Sequence, residues 1–539
     1  MYKFILWRSL AGILLIACLN LRPVMAQQEA TNWYFGNYAG LSFASGSPVA
    51  LLDGAMSTME GVATISNSSG ILLFYTDGQT IWNRQHQIMT NGTGLWGHSS
   101  STQSGVIVKK PGSNNIFYVF TVDEVATGGI HGVCYSIVDM NLSGGLGAVT
   151  SKNIELVPNS NATEKITAVK HSNGTDIWVL THGWNNNQFL AFKVTSSGIN
   201  STPIISNAGQ IHSGINRHRA GYMKSSPNGS YIALTMYDYG DAELVEMVKF
   251  NPSNGTVSTD VKCFADYIPS AYGVEFSPDN TKLYASGAKD NGKIYQYNLS
   301  LPNGTSIVAG KTVIASNGNY AAMQVAIDGK IYVTRYNVQF LSCINSPNLN
   351  GIACNFTENN VSLGGRTATF GLPTFIQSFF VSVQAFSNSP VCQGNTIHLY
   401  CVAAGASSYY WTGPAGFTST LQNPSIANAQ PYNSGVYTVT AFSSGGNSAT
   451  SQVSVVVNPN PNITLGPDTT ICENSWIVLS PGSGFQSYLW NTGSTQSSII
   501  VNSPGNYSVI VMDANGCSAS DSKWVYTKPA PGPILIKHR

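Results

Sequence analysis

The chain has 539 residues, of which 9% are charged and 43% hydrophobic, and a net charge of +1. A soluble protein usually carries about 25% charged residues, so solubility here rests on Asn, Ser, Thr and Gly. The absence of Lys/Arg clusters argues against a nucleic-acid partner, the apolar content argues against disorder, and the length predicts several domains.

Residues 1–26 read as a signal peptide. Lys3 and Arg8 precede the apolar run "LAGILLIACLNL" (10–21), and "VMA" (24–26) offers a small-residue cleavage site before Gln27. The run is too short to span a bilayer, and no other stretch of about 20 apolar residues follows, so no membrane span is expected in the mature chain. "LIAC" (15–18) also fits a lipobox that would lipidate Cys18; cleavage after Ala26 is the favoured reading. Export permits disulfides. Cys343 and Cys354 lie close in sequence, and Cys472 and Cys517 bracket one C-terminal unit, so these are the candidate pairs.

Residues 27–383 are expected to form a propeller. "YGVEFSPDNTKLYASG" (272–287) reads as strand, tight turn, strand, and similar stretches begin at Gly61, Gly105, Thr167, Gly221 and Met323. Each has a short apolar strand, a Gly/Asn/Pro turn and a second strand rich in β-branched and aromatic residues. The copies recur at roughly 43–60 residues, the period of propeller blades. Further strands such as "FLAFKVT" (189–195) and "KIYQYNLS" (293–300) complete four-stranded sheets. A seventh inner strand is expected at "FGLPTFIQSFF" (370–380), with its outer strands supplied by "NWYFGNYAGLSF" (32–43). The fold class is therefore all-β, a propeller of about seven blades.

Two Ig-like modules are expected after it, 384–458 and 459–528, with a tail over 529–539. Each has a Cys-led strand, a Trp about 18 residues later and a G-x-Y-x-V strand, the pattern of a sandwich with a core Trp and a corner Tyr. Val439 stands where an antibody domain has its second cysteine, so Cys401 has no inter-sheet partner; Cys472–Cys517 is expected to close the second module. "NPNPN" (458–462) reads as a stiff joint.

The stretches "YTDGQTIWNRQHQIMTNGTGL", "SSTQSGVIVKKPG", "YSIVDMNLSGGLGAVTSKN", "GYMKSSPNG" and "FGLPTFIQSFF" resemble the propeller of large secreted Bacteroidetes proteins, in which Ig-like or PKD-like repeats follow. Such proteins usually end in a gliding-motility-associated sorting domain read by the type IX secretion system. The chain stops at "PAPGPILIKHR", so the expectation is a fragment, or a variant exported by another route. The resemblance implies a secreted or cell-surface location and supplies no catalytic residues.

Candidate chemistry is sparse. "GHSSS" (97–101) departs from the hydrolase elbow at Ser101 and lacks the strand-to-helix turn that motif needs. Asp77-Gly78 is a hairpin turn rather than a sialidase Asp-box. "HSGINRHRAGYMK" (212–224) is the densest cationic stretch; Arg217, His218 and Arg219 are candidates for binding carboxylates or sulfates, against the plain reading of a solvated loop. His182 and Trp184 in "THGWNNN" are candidates for stacking on a sugar, against packing between blades. Asp238, Asp241 and Glu243 offer calcium-type oxygens without calcium spacing, and Asp123, Glu124 and His131 flank one loop. No metal or cofactor motif is found. The leading expectation is a non-enzymatic recognition or adhesion protein whose propeller binds a polysaccharide or a surface protein, with the Ig-like modules as spacer. The alternatives are a polysaccharide-active hydrolase or lyase, favoured by two carboxylates converging at one channel mouth, and a structural part of the gliding or secretion machinery.

Overall fold

The computed structural model describes residues 28–124, 130–237, 242–289, 291–380, 382–404, 406, 408–442, 448–530 and 532. Residues 1–26, expected as a signal peptide, with Cys18, and Asp238 and Asp241, lie outside the described residues. Apart from one short helix, Gly304–Ala309, and single 3-10 turns, the described elements are strands. No described helix is long and apolar enough to cross a membrane.

The repeated hairpins form as their turn chemistry dictates. Ala271–Phe276 pairs antiparallel with Lys282–Gly287, with Val274 opposite Ala285 and Phe276 opposite Leu283. Five of the six hairpin turns place Gly70, Gly174, Gly229, Asn280 or Gly329 at positive φ. The amide of each donates to the carbonyl three residues earlier. A Cβ is strained in that conformation, which is why Gly or Asn recurs there.

The innermost strand of each hairpin lies beside the innermost strand of the next, in chain order: Ala63–Ser66, Gly105–Lys109, Ala162–Lys170, Met223–Ser225, Ala271–Phe276 and Tyr320–Val325. In Ala63–Ser66, Met223–Ser225, Ala271–Phe276 and Tyr320–Val325 every residue is buried. One face packs on the preceding sheet and the other on the following one, so the two-residue alternation of a half-exposed strand disappears. Asn186–Thr195 and Gly292–Asn298 extend their sheets outward.

Both ends of this region close the circle. The Phe370 amide donates to the Met59 carbonyl (3.0 Å) and the Phe370 carbonyl accepts from Ala322 (3.0 Å), while the Thr374 amide donates to Val62 (2.8 Å). Residues 370–374 thus lie between the last and first innermost strands. Asn32–Phe35, Ala39–Ser42 and Val49–Leu51 form a three-stranded sheet, tied to the closing segment where Asn37 donates to Thr367 (2.9 Å). The arrangement is a β-propeller. Only the first part of the expected strand 370–380 is extended; Gln377–Phe380 is a 3-10 turn, and Phe379 packs on three of the hydrophobic clusters. Its polar neighbour Gln377 donates to Glu275 Oε2 (3.1 Å), which also faces Lys224 Nζ (3.5 Å) on the adjacent innermost strand, both charged groups being buried. Lys224 donates in turn to Gln324.

Two further cores follow. The first gathers Ile397, Leu399, Cys401, Trp411, Tyr437, Val439 and Val455; the second gathers Leu479, Trp490, Val509, Val511 and Val525. The first is enclosed by three sheets, one of them only two-stranded, and the second by two. The indole N–H of Trp411 donates to the Gln422 carbonyl and that of Trp490 to the Gln496 carbonyl. The hydroxyls of Tyr437 and Tyr507 each donate to the carbonyl four residues upstream, Asn433 and Ser503, at 2.9 Å.

The cysteines depart from expectation. Cys392 is bonded to Cys517, joining the first unit to the second, and Cys472 is a thiol. The sheet register explains why Cys472 cannot reach Cys517. Cys472 sits opposite Lys528, at the far end of Ser518–Lys528, roughly 35 Å along the strand from Cys517. Cys343 and Cys354 are also buried thiols. They face different tyrosines, Tyr332 and Tyr284 respectively, and burial pushes the Cys343 thiol up to about 12.

Candidate functional site

The starts of the innermost strands form one mouth of the ring, and polar side chains converge there. Thr102 donates from both its amide and its hydroxyl to Glu164 Oε2, each at 3.0 Å, and accepts from the Gly221 amide (3.2 Å). Lys165 Nζ donates to the carbonyls of Arg219 (2.7 Å) and Ala220 (2.8 Å). Burial lowers the Lys165 ammonium to about 7, against the pull of Glu164. Glu60 is half-buried beside this group. Its carboxyl is pushed well up, first by burial and then by the charge of Glu164, and burial likewise raises Glu164. Two carboxyls that resist ionisation at one mouth are suited to holding or passing a proton.

Aromatic rings line the same mouth. Tyr336 is 45% exposed and stacks on Phe370, centroids 4.8 Å apart. Phe370 meets Tyr272 at 5.8 Å, and Tyr237 meets Tyr272 edge-on at 5.1 Å. The Tyr272 hydroxyl faces Glu60. Beside Tyr336 opens a cleft of about 420 Å³ lined by Asn291, Asn317, Asn319 and Arg335. Arg335 is held by Glu358 (3.0 Å) and Asn359.

The residues singled out in the sequence occupy different roles. His182 is fully buried and Trp184 is 4% exposed. The guanidinium of Arg219 lies over the Trp184 ring at 4.8 Å and donates to the carbonyls of Asn159 (3.1 Å) and Ala162 (3.4 Å). The ring expected to stack on a sugar is therefore covered by an arginine expected to bind an anion, and both are used inside the protein. His218 Nδ1 contacts the Ser213 carbonyl (3.1 Å), and Arg217 is exposed. His131 stacks on Trp96 at 3.7 Å, and its amide donates to Asp123.

His182 belongs to a buried network instead. Its ring lies 4.0 Å from that of His212, and its Nδ1 bonds the Gly183 carbonyl (2.7 Å). Burial lowers His182 to about 3 and His212 well below its usual value, whereas burial raises Glu246, 3.5 Å from His212, to about 8. The signs are opposite. The unfolded chain protonates both histidines below about 6.5 while the fold keeps them neutral, so acidification from 6.5 costs stability, up to about 1.4 kcal/mol per pH unit for each. The fold keeps the Glu246 proton where the unfolded chain loses it, so that contribution is lost as pH rises from about 4.5 to 8. In urea titrations across pH 4–8, His212→Gln is expected to flatten the acid limb and Glu246→Gln the alkaline one. Unchanged slopes would show that these groups titrate alike in both states.

Glu60 and Glu164 were not legible as a pair. The only signal is a carboxylate within three residues upstream of two repeat starts, Gly61 and Thr167.

No family model matches the chain, and no curated protein matches it. Among solved structures, a Bacteroides uniformis protein assigned as a 6-phosphogluconolactonase is 14% identical, with a TM-score of 0.33, covering 68% of this chain and 96% of that one. The periplasmic gluconolactonase of Pseudomonas aeruginosa is 15% identical, with a TM-score of 0.30, covering 64% and 96%. Three N-terminal domains of the outer capsid protein Hoc of bacteriophage RB49 are 20% identical, with a TM-score of 0.17, covering 27% of this chain; the chain spans 58% of that fragment. At these values the similarities say nothing about activity.

Proposed function

We propose that the chain is an exported surface protein in which a seven-bladed propeller recognises a polysaccharide and two Ig-like modules act as its spacer. Six hairpins, two of them in one eight-stranded sheet joined through Thr90 and Ala148, and the closing segment at 370–374 support the count of seven. The core Trp and corner Tyr of each C-terminal unit support the Ig-like reading. The single observation that carries the recognition reading is the Tyr336–Phe370 stack at the ring mouth, next to the Asn-rich cleft. An exposed aromatic face packs against the apolar face of a sugar, while amide side chains meet its hydroxyls. Arg217, Arg219, His182 and Trp184 are not part of this reading.

One observation favours an enzyme as the second reading: Glu60 and Glu164 share that mouth, and burial and then the charge of Glu164 push Glu60 toward the neutral acid. A proton donor and a carboxylate flanking a bond are what glycoside cleavage requires.

Residues 27–539 should be incubated with neutral and acidic polysaccharides, following both retention on the polymer and release of new reducing or unsaturated ends. Retention without products is expected, weakened about tenfold in Tyr336→Ala. Products that vanish in Glu60→Gln would replace the recognition reading with the enzymatic one. Retention that is indifferent to Tyr336 would remove the mouth from the proposal.

A further inference from the structure

The opposite end of the ring holds a cavity of about 700 Å³, which lies within the usual range for small-molecule sites. It opens where two adjacent innermost strands, Gly105–Lys109 and Ala162–Lys170, both end in lysine. Lys110 joins them at the rim, and Phe117, Ile376 and Phe379 supply apolar wall. Three lysines on one cavity stand out in a chain with only 26 Lys and Arg. The acid among the lining residues is Glu29.

The lining is unbalanced in charge. With Glu29 ionised, three ammonium groups face one carboxylate, a net charge of about +2. Among the described residues Glu29 Oε2 is buried and accepts no hydrogen bond, and burial raises that carboxyl against the pull of Lys109 and Lys170. Burial also works against the charge on Lys170. Among the described residues, the hydrogen bond of Lys109 Nζ is to a neutral acceptor, Asn114 Oδ1, at 3.2 Å. An anionic group at this rim would give the ammonium groups charge-assisted hydrogen bonds, and the walls behind it would take up an apolar body by removing it from water.

We propose that this cavity binds an amphiphilic organic anion, with its anionic head on Lys109 and Lys110 and its apolar body against Phe117, Ile376 and Phe379. The site is separate from the Tyr336 mouth, and neither requires the other.

The test is isothermal titration of residues 27–539 with decyl sulfate below its micelle-forming concentration. Decyltrimethylammonium serves as the charge-inverted probe, and circular dichroism verifies that the fold persists. Saturable one-site binding is expected for decyl sulfate, at least about tenfold tighter than for the cation. Lys109→Met/Lys110→Met should weaken decyl sulfate by about tenfold. Lys170→Met, which alters the cavity at another strand end, should weaken it in the same direction. Equal affinity for the two probes, no saturable binding, or full affinity in both lysine variants would overturn the proposal. The polysaccharide retention assay should be unchanged in these variants, so failure here is distinguishable from failure of the recognition reading.

Discussion

Replacing Lys224 with methionine is expected to destabilise the ring by about 3–5 kcal/mol, the cost of leaving a buried carboxylate without its cation. Lys224 and Glu275 are both buried and 3.5 Å apart. The carboxylate also accepts from the amides of Phe276 (3.0 Å) and Val325 (3.2 Å) and from Gln377 (3.1 Å). Four donors on one carboxylate compensate its desolvation, and removing the charged one leaves three neutral ones. Burial pushes Lys224 down and Glu275 up, each against the pull of the other. The double variant Lys224→Met/Glu275→Leu should recover part of the loss, because no unpaired charge remains; the three orphaned donors prevent full recovery. Urea unfolding of the two variants decides it. A loss under about 1 kcal/mol in the single variant would mean that Glu275 takes up a proton when its partner is removed, at little cost.

Breaking the bond between Cys392 and Cys517 has the second large effect. The bond spans 125 residues, and in the chain-entropy model a closed loop of that length contributes about 5 kcal/mol. Cys392→Ser is expected to lower the melting temperature of the C-terminal units and to speed proteolysis in 458–462, where Pro459, Asn460 and Asn462 are exposed. The propeller transition should stay in place, since none of its cysteines is bonded. A melting profile indifferent to reductant would refute a stabilising role for this bond.

What could be read in the sequence was local. The hairpins announce themselves because Gly or Asn must occupy the left-handed position of each turn, and that requirement acts within four residues. Ring closure was partly legible, because "FGLPTFIQSFF" reads as a seventh inner strand whose outer strands have to come from "NWYFGNYAGLSF" at the other end of the chain. The 3-10 turn at Gln377–Phe380 was not, because its apolar run is equally compatible with a strand until the packing of Phe379 is known. The cluster at the mouth was hidden for a different reason: Glu60, Glu164 and Tyr272 are far apart in the chain and meet only because their strands start at the same end of the ring. The cysteine pairing failed on geometry, since sequence spacing brackets a unit but does not reveal that Cys472 lies beside the far end of the strand that Cys517 precedes. Trp184 misled because an aromatic beside Asn residues at a strand end reads the same whether it faces solvent or Arg219.

The position of the closing segment has a mechanical consequence. Residues 370–374 are held between the first and last innermost strands, Gln377 is fastened to Glu275, and the next strand, Ser382–Ser387, already belongs to the first C-terminal unit. Tension applied to the C-terminal units therefore enters the ring at its seam. There the load falls on the Phe370–Met59 and Thr374–Val62 bonds and, through the Gln377 anchor, on the strand Ala271–Phe276 that carries Glu275. Under a pull from that end the molecule would open like a clasp, and its resistance would be set by a few residues and not by the size of its core.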